Sequence, residues 1–242
     1  MSVELYNITM KGEGGGQLLF DDLDLRIDVG ERVGILGQSK SGKSTLLRLI
    51  AGVEPIYKGF IERSSSVSWP LPFADYLVAS NTVATNIRFV SRLYGMDDDR
   101  FLRDVAEMAG INEFLNEELV SCPRFVRPQL TFALAMTVKF DIYLFDDNLI
   151  AGEKAFKDKA TQLIQAMVPR QGFVLASSAV KDITANCDIF YILDKGHVAR
   201  YEDAKDAEKH FKSLAQGAAT EAPVKQEPRE QAQEDYSSVL GI

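Results

Sequence analysis

The chain has 242 residues, about 1.6 times a nominal 150-residue domain, a length that favours one large α/β domain with appendages over two equal domains. Hydrophobic residues make up 46% and charged residues 26%, which excludes a wholly disordered, collagen-like or disulfide-stapled chain. The formal net charge of -8 has the wrong sign for a protein held mainly by nucleic-acid phosphates, so no nucleic-acid partner is expected.

Cys122 and Cys187 are too few for a disulfide framework or a four-ligand zinc site, and the first residues lack the basic-then-apolar layout of a signal peptide. A reducing cytoplasm is therefore the expected compartment. The longest nearly unbroken apolar run, residues 130–138, falls well short of a membrane-spanning helix.

In chain order, residues 3–9 read as a strand, followed by a glycine-rich turn at 11–16. Residues 23–29 then alternate Leu23, Leu25, Ile27 and Val29 against Asp24, Arg26 and Asp28, the pattern of a half-buried strand. A buried strand over 33–36 leads to a helix over 45–51, ended by Gly52. Residues 83–140 read as a helical insertion with helices at 83–93, 100–108 and 130–140, and Asp97, Asp98 and Asp99 suit the start of the second. A metal site is the weaker alternative for those three acids. Strands at 142–145, 173–176 and 189–193, with a helix over 154–168, give βαβ units on a parallel sheet. Residues 203–214 are amphipathic but acidic at their start, which disfavours contact with anionic lipid. Residues 221–242 are polar, with five acids against two bases, and are expected to be disordered.

Chemistry concentrates between the 33–36 strand and the 45–51 helix. Gly37, Gln38, Ser39, Lys40, Ser41, Gly42, Lys43 and Ser44 match G-x-x-x-x-G-K-[ST] in the strand-loop-helix context that motif requires, with Thr45 next. Glycines let backbone N–H groups turn onto phosphate oxygens, and the following helix presents its positive end. Lys43 is expected to reach the β- and γ-phosphates and Ser44 to ligate Mg²⁺. A glycine-rich turn with an exposed lysine is the alternative for this stretch. Asp146, ending an apolar strand, is the expected second metal residue.

These residues resemble the nucleotide-binding subunit of ATP-binding-cassette (ABC) transporters, in particular the capsular polysaccharide export branch. Beyond the phosphate loop the resemblance rests on Ala51, Gly52, Pro55, Gly59 and Ile61, on Ser68-Trp69-Pro70-Leu71, and on the helix ending Tyr94-Gly95. It also rests on Phe132-Ala133-Leu134, on 141–146 and on 193–196, and covers about residues 3–215. It implies an α/β P-loop NTPase of the ABC type: a mostly parallel sheet core, an N-terminal antiparallel β subdomain and a helical subdomain at about 83–140. On this division residues 1–215 form the ATP-binding domain and 216–242 an acidic tail. The implied cofactors are ATP and Mg²⁺. The implied partners are a membrane permease, which would hold the chain at the inner face of the membrane, and a second ATP-binding subunit in a homodimer or heterodimer.

Departures from the family pattern bear on hydrolysis. No Gln lies between Trp69 and Asn86, and Val78 stands where one is expected. The Ser-Gly signature position falls at Cys122-Pro123-Arg124-Phe125-Val126. Asp147 replaces the glutamate and is the remaining candidate base, Ser178 replaces the histidine, and the adenine-stacking aromatic falls near Met10, with Tyr6 or Phe20 as substitutes. A carboxylate displaced by about 1 Å can cost about 100-fold in rate. The expected activity is thus Mg-ATP binding with weak or absent hydrolysis. The other readings are a repurposed ATP-sensing regulatory protein and, less well suited to the 83–140 insertion, a small-molecule kinase. Trp69 reads equally as a core aromatic or a permease contact, and Cys122 as an inert small residue.

Overall fold

Two sheets organise the chain, which is described here by a computed structural model over residues 1–12, 18–72, 75–147, 150–167 and 170–215. The first sheet is antiparallel, with β1 (Ser2–Lys11) at its centre between β2 (Leu18–Asp28) and β4 (Lys58–Arg63). The second has six strands in the order β5 (Val67–Leu71), β6 (Ile142–Asp146), β7 (Gly172–Ser177), β3 (Arg32–Gly37), β8 (Ile189–Asp194) and β9 (His197–Tyr201). All its pairings are parallel except the β8–β9 hairpin. This is the mostly parallel sheet that the strand pattern predicts, with the antiparallel companion that the family resemblance implies.

The helices are α1 (Lys43–Ala51), α2 (Val83–Leu93), α3 (Asp98–Ala109), α4 (Val126–Val138), α5 (Lys154–Met167), α6 (Val180–Asn186) and α7 (Ala204–Ala215). The central strands are buried on both faces, which explains their unbroken apolar runs. Ile142, Leu144, Val174, Ala176, Tyr191 and Leu193 face one core, shared with α1 and the antiparallel sheet. Tyr143, Phe145, Phe173, Leu175, Phe190 and Ile192 face the other, shared with the later helices. The phosphate-loop helix is thereby clamped between two sheets while α2, α3 and α4 form a separate helical unit.

Several boundaries differ from the sequence reading for identifiable reasons. β2 begins at Leu18 rather than 23, because register shifts opposite Ile8 and Met10, with Asp22 at φ 55°, break the alternation. α4 begins at Val126 rather than 130, since Pro128 lies in the first turn, where a missing N–H costs nothing. It stops at Val138 because Lys139 turns to φ 66°. β4, β5, β9 and α6 carry no periodic signal; β4, β5 and β9 are edge strands, and the edge position is what tolerates Pro70 within β5. Asp97 caps α3 by accepting from the Arg100 N–H at 2.7 Å, so the acidic run serves as a helix start. The 154–168 helix is described to Met167, and the expected tail at 216–242 lies outside the described residues. Among the described residues no helix is long and apolar enough to cross a membrane.

Candidate functional site

Parallel register sets the site. Asp146 pairs with Ala176, Ser177 with Leu36, and Gly37 with Leu193, so β6, β7, β3 and β8 end in one row. Ligands of open α/β sheets bind beyond such carboxyl ends. From that row the chain leaves β3 at Gly37, runs through Gln38, Ser39, Lys40 and Ser41, and enters α1 after Gly42.

The loop closes on itself. The Ser41 N–H donates to the Gln38 carbonyl at 3.1 Å, making a tight turn. Gly42 sits at φ 102°, and a Cβ there would meet Leu19 Cδ1 at 3.0 Å and Phe20 Cε1 at 3.2 Å. A Cβ on Gly37 would collide with the Ser41 hydroxyl, so Gly37 is required by the space and Gly42 by the backbone as well. Lys43 is 8% exposed, and its ammonium donates to the Gly37 and Gln38 carbonyls at 2.9 Å each. Burial lowers its pKa, partly offset by the charges of Asp147 and Asp146. Ser44 is exposed at the start of α1 and Thr45 half-buried beside it, where the Thr45 hydroxyl lies 3.2 Å from Arg48 Nη2.

Two polar atoms here are buried without a partner among the described residues: the Ser41 hydroxyl oxygen and Asp146 Oδ1. Burial raises the Asp146 pKa, and the adjacent Ser44 hydroxyl opposes that rise. An orphaned carboxylate oxygen beside an exposed serine hydroxyl is the donor set that suits a hard divalent cation taking its other ligands from phosphate and water. Among the described residues no group of three or more His, Cys, Asp or Glu forms a self-sufficient metal site, so an ion at Ser44 and Asp146 would depend on a bound phosphate compound.

Asp147 follows at φ 63°, exposed, with its N–H donating to the Ala176 carbonyl at 2.7 Å. Ser178 is exposed just past β7, and the preceding Ser177 hydroxyl accepts from the Ala179 N–H at 3.1 Å. The structure thus brings the phosphate loop, Asp146, Asp147 and Ser178 to one edge.

A family model described as "ABC transporter" matches residues 20–149, more than half of the chain. The chain belongs to the ABC transporter family. It is 34% identical over 200 residues, 83% of this chain and 93% of the relative, to the capsule polysaccharide export ATP-binding protein CtrD of Neisseria meningitidis. It is 33% identical over 197 residues, 81% and 91% of the two chains, to the ATP-binding protein BexA of Haemophilus influenzae. Among solved structures it resembles the ATP-binding cassette MJ0796, in a dimeric post-hydrolysis state bound to ADP and Pi, with a TM-score of 0.70 at 19% identity, covering 83% and 98% of the two chains. A structure titled as the ATP binding subunit of an ABC transporter matches with a TM-score of 0.72 at 16% identity, over 99% and 100%. The last two show the fold alone.

Elsewhere in this ABC chain the structure removes Phe20 from the substitutes suggested for adenine stacking and leaves Tyr6 among them. Phe20 is fully buried against the loop, and the Tyr6 ring is stacked on Phe60 at 4.5 Å with its hydroxyl on Glu4. Phe20 offers no free ring face, and Tyr6 has one face taken by Phe60; Met10 is half-buried. At 122–126 the Val126 N–H donates to the Pro123 carbonyl at 3.0 Å, Phe125 packs edge-on against Phe114 at 5.9 Å, and Val126 is buried. These groups serve the helical unit's own packing. Cys122 is half-buried with a thiol pKa raised by burial, and burial pushes Cys187 up to about 12, so neither is a reactive thiolate.

Trp69 is half-buried among Tyr76, Tyr94 and Phe140, with its indole nitrogen unpartnered. It sits behind an exposed apolar face of α2, where Phe89 is 52%, Leu93 67% and Tyr94 41% exposed. A groove of about 400 Å³ beside that face is lined by Val78, Asn86, Phe89 and Arg92. A separate cavity of about 640 Å³ lies among α3, α4 and α5 and includes no phosphate-loop residue. The sequence names Lys40 and Ser41 only as places in the motif, which allows any residue at both; the turn geometry, with the Ser41 N–H on the Gln38 carbonyl and Lys40 at φ 64°, is what the spacing does not show.

Proposed function

We propose that the chain is the ATP-binding subunit of an exporter of capsular or other cell-surface polysaccharide. Gly37, Gln38, Ser39, Lys40, Ser41, Gly42, Lys43, Ser44 and Thr45 hold the phosphates, and Ser44 and Asp146 hold Mg²⁺. The observation that carries the reading is the loop itself: a buried lysine hydrogen-bonded to two loop carbonyls, with the Ser41 hydroxyl and Asp146 Oδ1 buried and unpartnered among the described residues. The name of CtrD supports the export assignment and that of BexA the ATP-binding role, and this chain nearly spans the length of both.

Mg²⁺ would supply charge neutralisation on the β- and γ-phosphates. Lys43 would exchange the two loop carbonyls for phosphate oxygens, and the α1 N-terminus would orient the anion. Asp147 remains the candidate base, and its turnover is slow, because Val78, 122–126 and Ser178 supply none of the side chains that the family uses there. The exposed α2 face and its groove are the surface offered to a membrane permease, through which the chain sits at the inner face of the membrane. A second ATP-binding subunit completes a dimer, and residues 1–215 constitute the ATP-binding domain.

The test is equilibrium binding and turnover of Mg-ATP in one preparation, with Lys43→Ala as control. Binding that depends on Lys43, with a kcat below the usual range of about 1–1000 per second, is the expected result. Failure to bind Mg-ATP sinks the assignment, and a kcat inside that range sinks the claim of slow hydrolysis.

A further inference from the structure

The cavity among α3, α4 and α5 encloses about 640 Å³ and has no phosphate-loop residue in its lining. Small-molecule sites typically enclose about 300–1,000 Å³, so its size is sufficient for a ligand. α4 and α5 meet through Phe132 and Phe156, edge to face at 5.5 Å, and a turn further along each helix Met136 and Lys159 line the cavity. Across it the Lys159 ammonium donates to the Glu107 carbonyl of α3 at 3.4 Å, a long bond that ties the walls together only weakly.

The lining is apolar below and charged above. Met96, Phe101, Met108, Met136 and Leu163 form its floor. Three of the six methionines in the chain are therefore gathered here. Unbranched thioether side chains repack around guests of different shape, so this floor suits an adaptable apolar contact better than a rigid one. The rim holds three cations and three acids, but they are not equally free. Asp97 accepts from the Arg100 N–H at 2.7 Å, and the Arg100 guanidinium faces Asp104 at 3.7 Å. Lys139, Lys159 and Glu107 remain, all exposed, and neither ammonium has an ion-pair partner among the described residues. Two ammoniums against one carboxylate favour a guest that carries a single negative charge.

We propose that this cavity binds a small amphipathic monoanion, an apolar body with a carboxylate or sulfonate head. The body lies on the methionine floor, and the Lys139 and Lys159 ammoniums meet the head. Such a guest touches α3 and α4 of the helical unit together with α5, so its binding braces that unit against the rest of the chain. It does not compete with a nucleotide, and the site stands whether or not the chain binds ATP.

The test titrates the full chain with anilinonaphthalene sulfonate, an aromatic monoanion whose fluorescence rises on binding, and with its uncharged parent phenylnaphthylamine. The sulfonate should bind saturably at one site with a Kd of about 10–100 µM, be displaced by decanoate, and raise the melting midpoint by about 3–6 °C at ten times that Kd. Leu163→Trp and Met108→Trp fill the cavity from α5 and from α3, and each should weaken binding at least about tenfold. The double variant Lys139→Asn, Lys159→Gln should lose about tenfold for the sulfonate and leave the uncharged probe unchanged. Both lysines are exposed, and asparagine accepts the φ of 66° at position 139, so this variant folds even where an added indole disrupts packing. Leu93→Ser, on the apolar face of α2, should leave sulfonate binding as it was. Absence of saturable binding, or binding unchanged in the lysine variant and in a filling variant that melts normally, overturns the site. Loss of binding in Leu93→Ser overturns it too, by moving the probe to α2. A neutral probe that binds as tightly as the sulfonate overturns the preference for an anion.

Discussion

The ammonium of Lys43 reaches back six residues to donate to the Gly37 carbonyl at 2.9 Å, so the loop holds its own lysine with its own backbone. A second bond to Gln38, also 2.9 Å, completes the hold. The lysine is preorganised, and binding requires only that it exchange two carbonyls for two anionic oxygens. Charge-assisted hydrogen bonds are worth about 1.5–3 kcal/mol each, so Lys43→Met should weaken Mg-ATP binding about 100-fold. The same change removes a buried ammonium and keeps its methylene packing, so the apo melting midpoint should move by no more than about 3 °C. Calorimetric titration and thermal melts check the pair of outcomes. A variant that melts normally and still binds ATP like the parent would remove Lys43 from the site.

Asp146 offers a prediction in which stability and ligand dependence move oppositely. Burial raises its pKa, so the folded chain keeps the carboxyl proton to a higher pH than the unfolded chain does. Its contribution to stability therefore falls as pH rises from the ordinary carboxylate value through the raised one, and stays low above it. Asp146→Asn cannot ionise. Its apo melting midpoint should exceed the parent's at pH 7, with the gap closing as pH falls through that window. The variant should also lose the Mg²⁺-dependent part of nucleotide stabilisation. An apo variant less stable than the parent at pH 7, or one with undiminished Mg²⁺ dependence, would contradict the assignment.

Ser68 tests the edge that carries β5. It is fully buried, accepts from the Leu144 N–H of β6 at 2.9 Å and donates to the Trp69 carbonyl at 2.8 Å. β5 and β6 have a register shift between Val67 and Pro70, and there the serine hydroxyl accepts the Leu144 N–H in place of a backbone carbonyl. Ser68→Ala leaves the Leu144 N–H buried and unpaired, a loss of about 1–3 kcal/mol. Denaturant unfolding should show a lower midpoint at unchanged slope. Ser68→Thr keeps the hydroxyl and separates this loss from crowding, since Thr should fail only through its added methyl.

The geometry of the loop between β3 and α1 was legible because it is bound to spacing. Gly42 is fixed by a φ of 102°, Gly37 by the Ser41 hydroxyl, and Lys43 by its reach to the loop carbonyls, so each residue type is recognisable without the fold. α2 was legible to the residue because Thr82 caps it by accepting the Thr85 N–H at 3.1 Å and its apolar face is continuous. β5 was not, since an edge strand containing Ser-Trp-Pro-Leu has neither alternation nor a full set of N–H groups. The stacking aromatic was misjudged for a tertiary reason: Phe20 faces the core because the β1–β2 register shifts turn it inward. Nor could spacing show that Asp147 adopts a left-handed backbone, since that depends on its N–H meeting the Ala176 carbonyl on the neighbouring strand.

That backbone decides how the candidate base should be tested. Asp147 sits at φ 63°, a region where Asp and Asn are enriched and most other residues are strained. Asp147→Ala would confound loss of a carboxylate with backbone strain, and Asp147→Glu would place a residue that fits poorly there. Asp147→Asn keeps size, shape and φ tolerance while removing the charge and the proton-accepting oxygen. General-base catalysis contributes about 10²–10⁴-fold, so the variant should lose at least about 100-fold of whatever turnover the parent shows. Its Mg-ATP Kd should not rise, because Asp147 is a negative charge near the phosphate lysine and its removal eases anion entry. Steady-state turnover with a parallel binding isotherm separates the two effects. Turnover equal to the parent's would exclude Asp147 as the base, and would mean that any residual hydrolysis relies on water positioned by the phosphate loop alone.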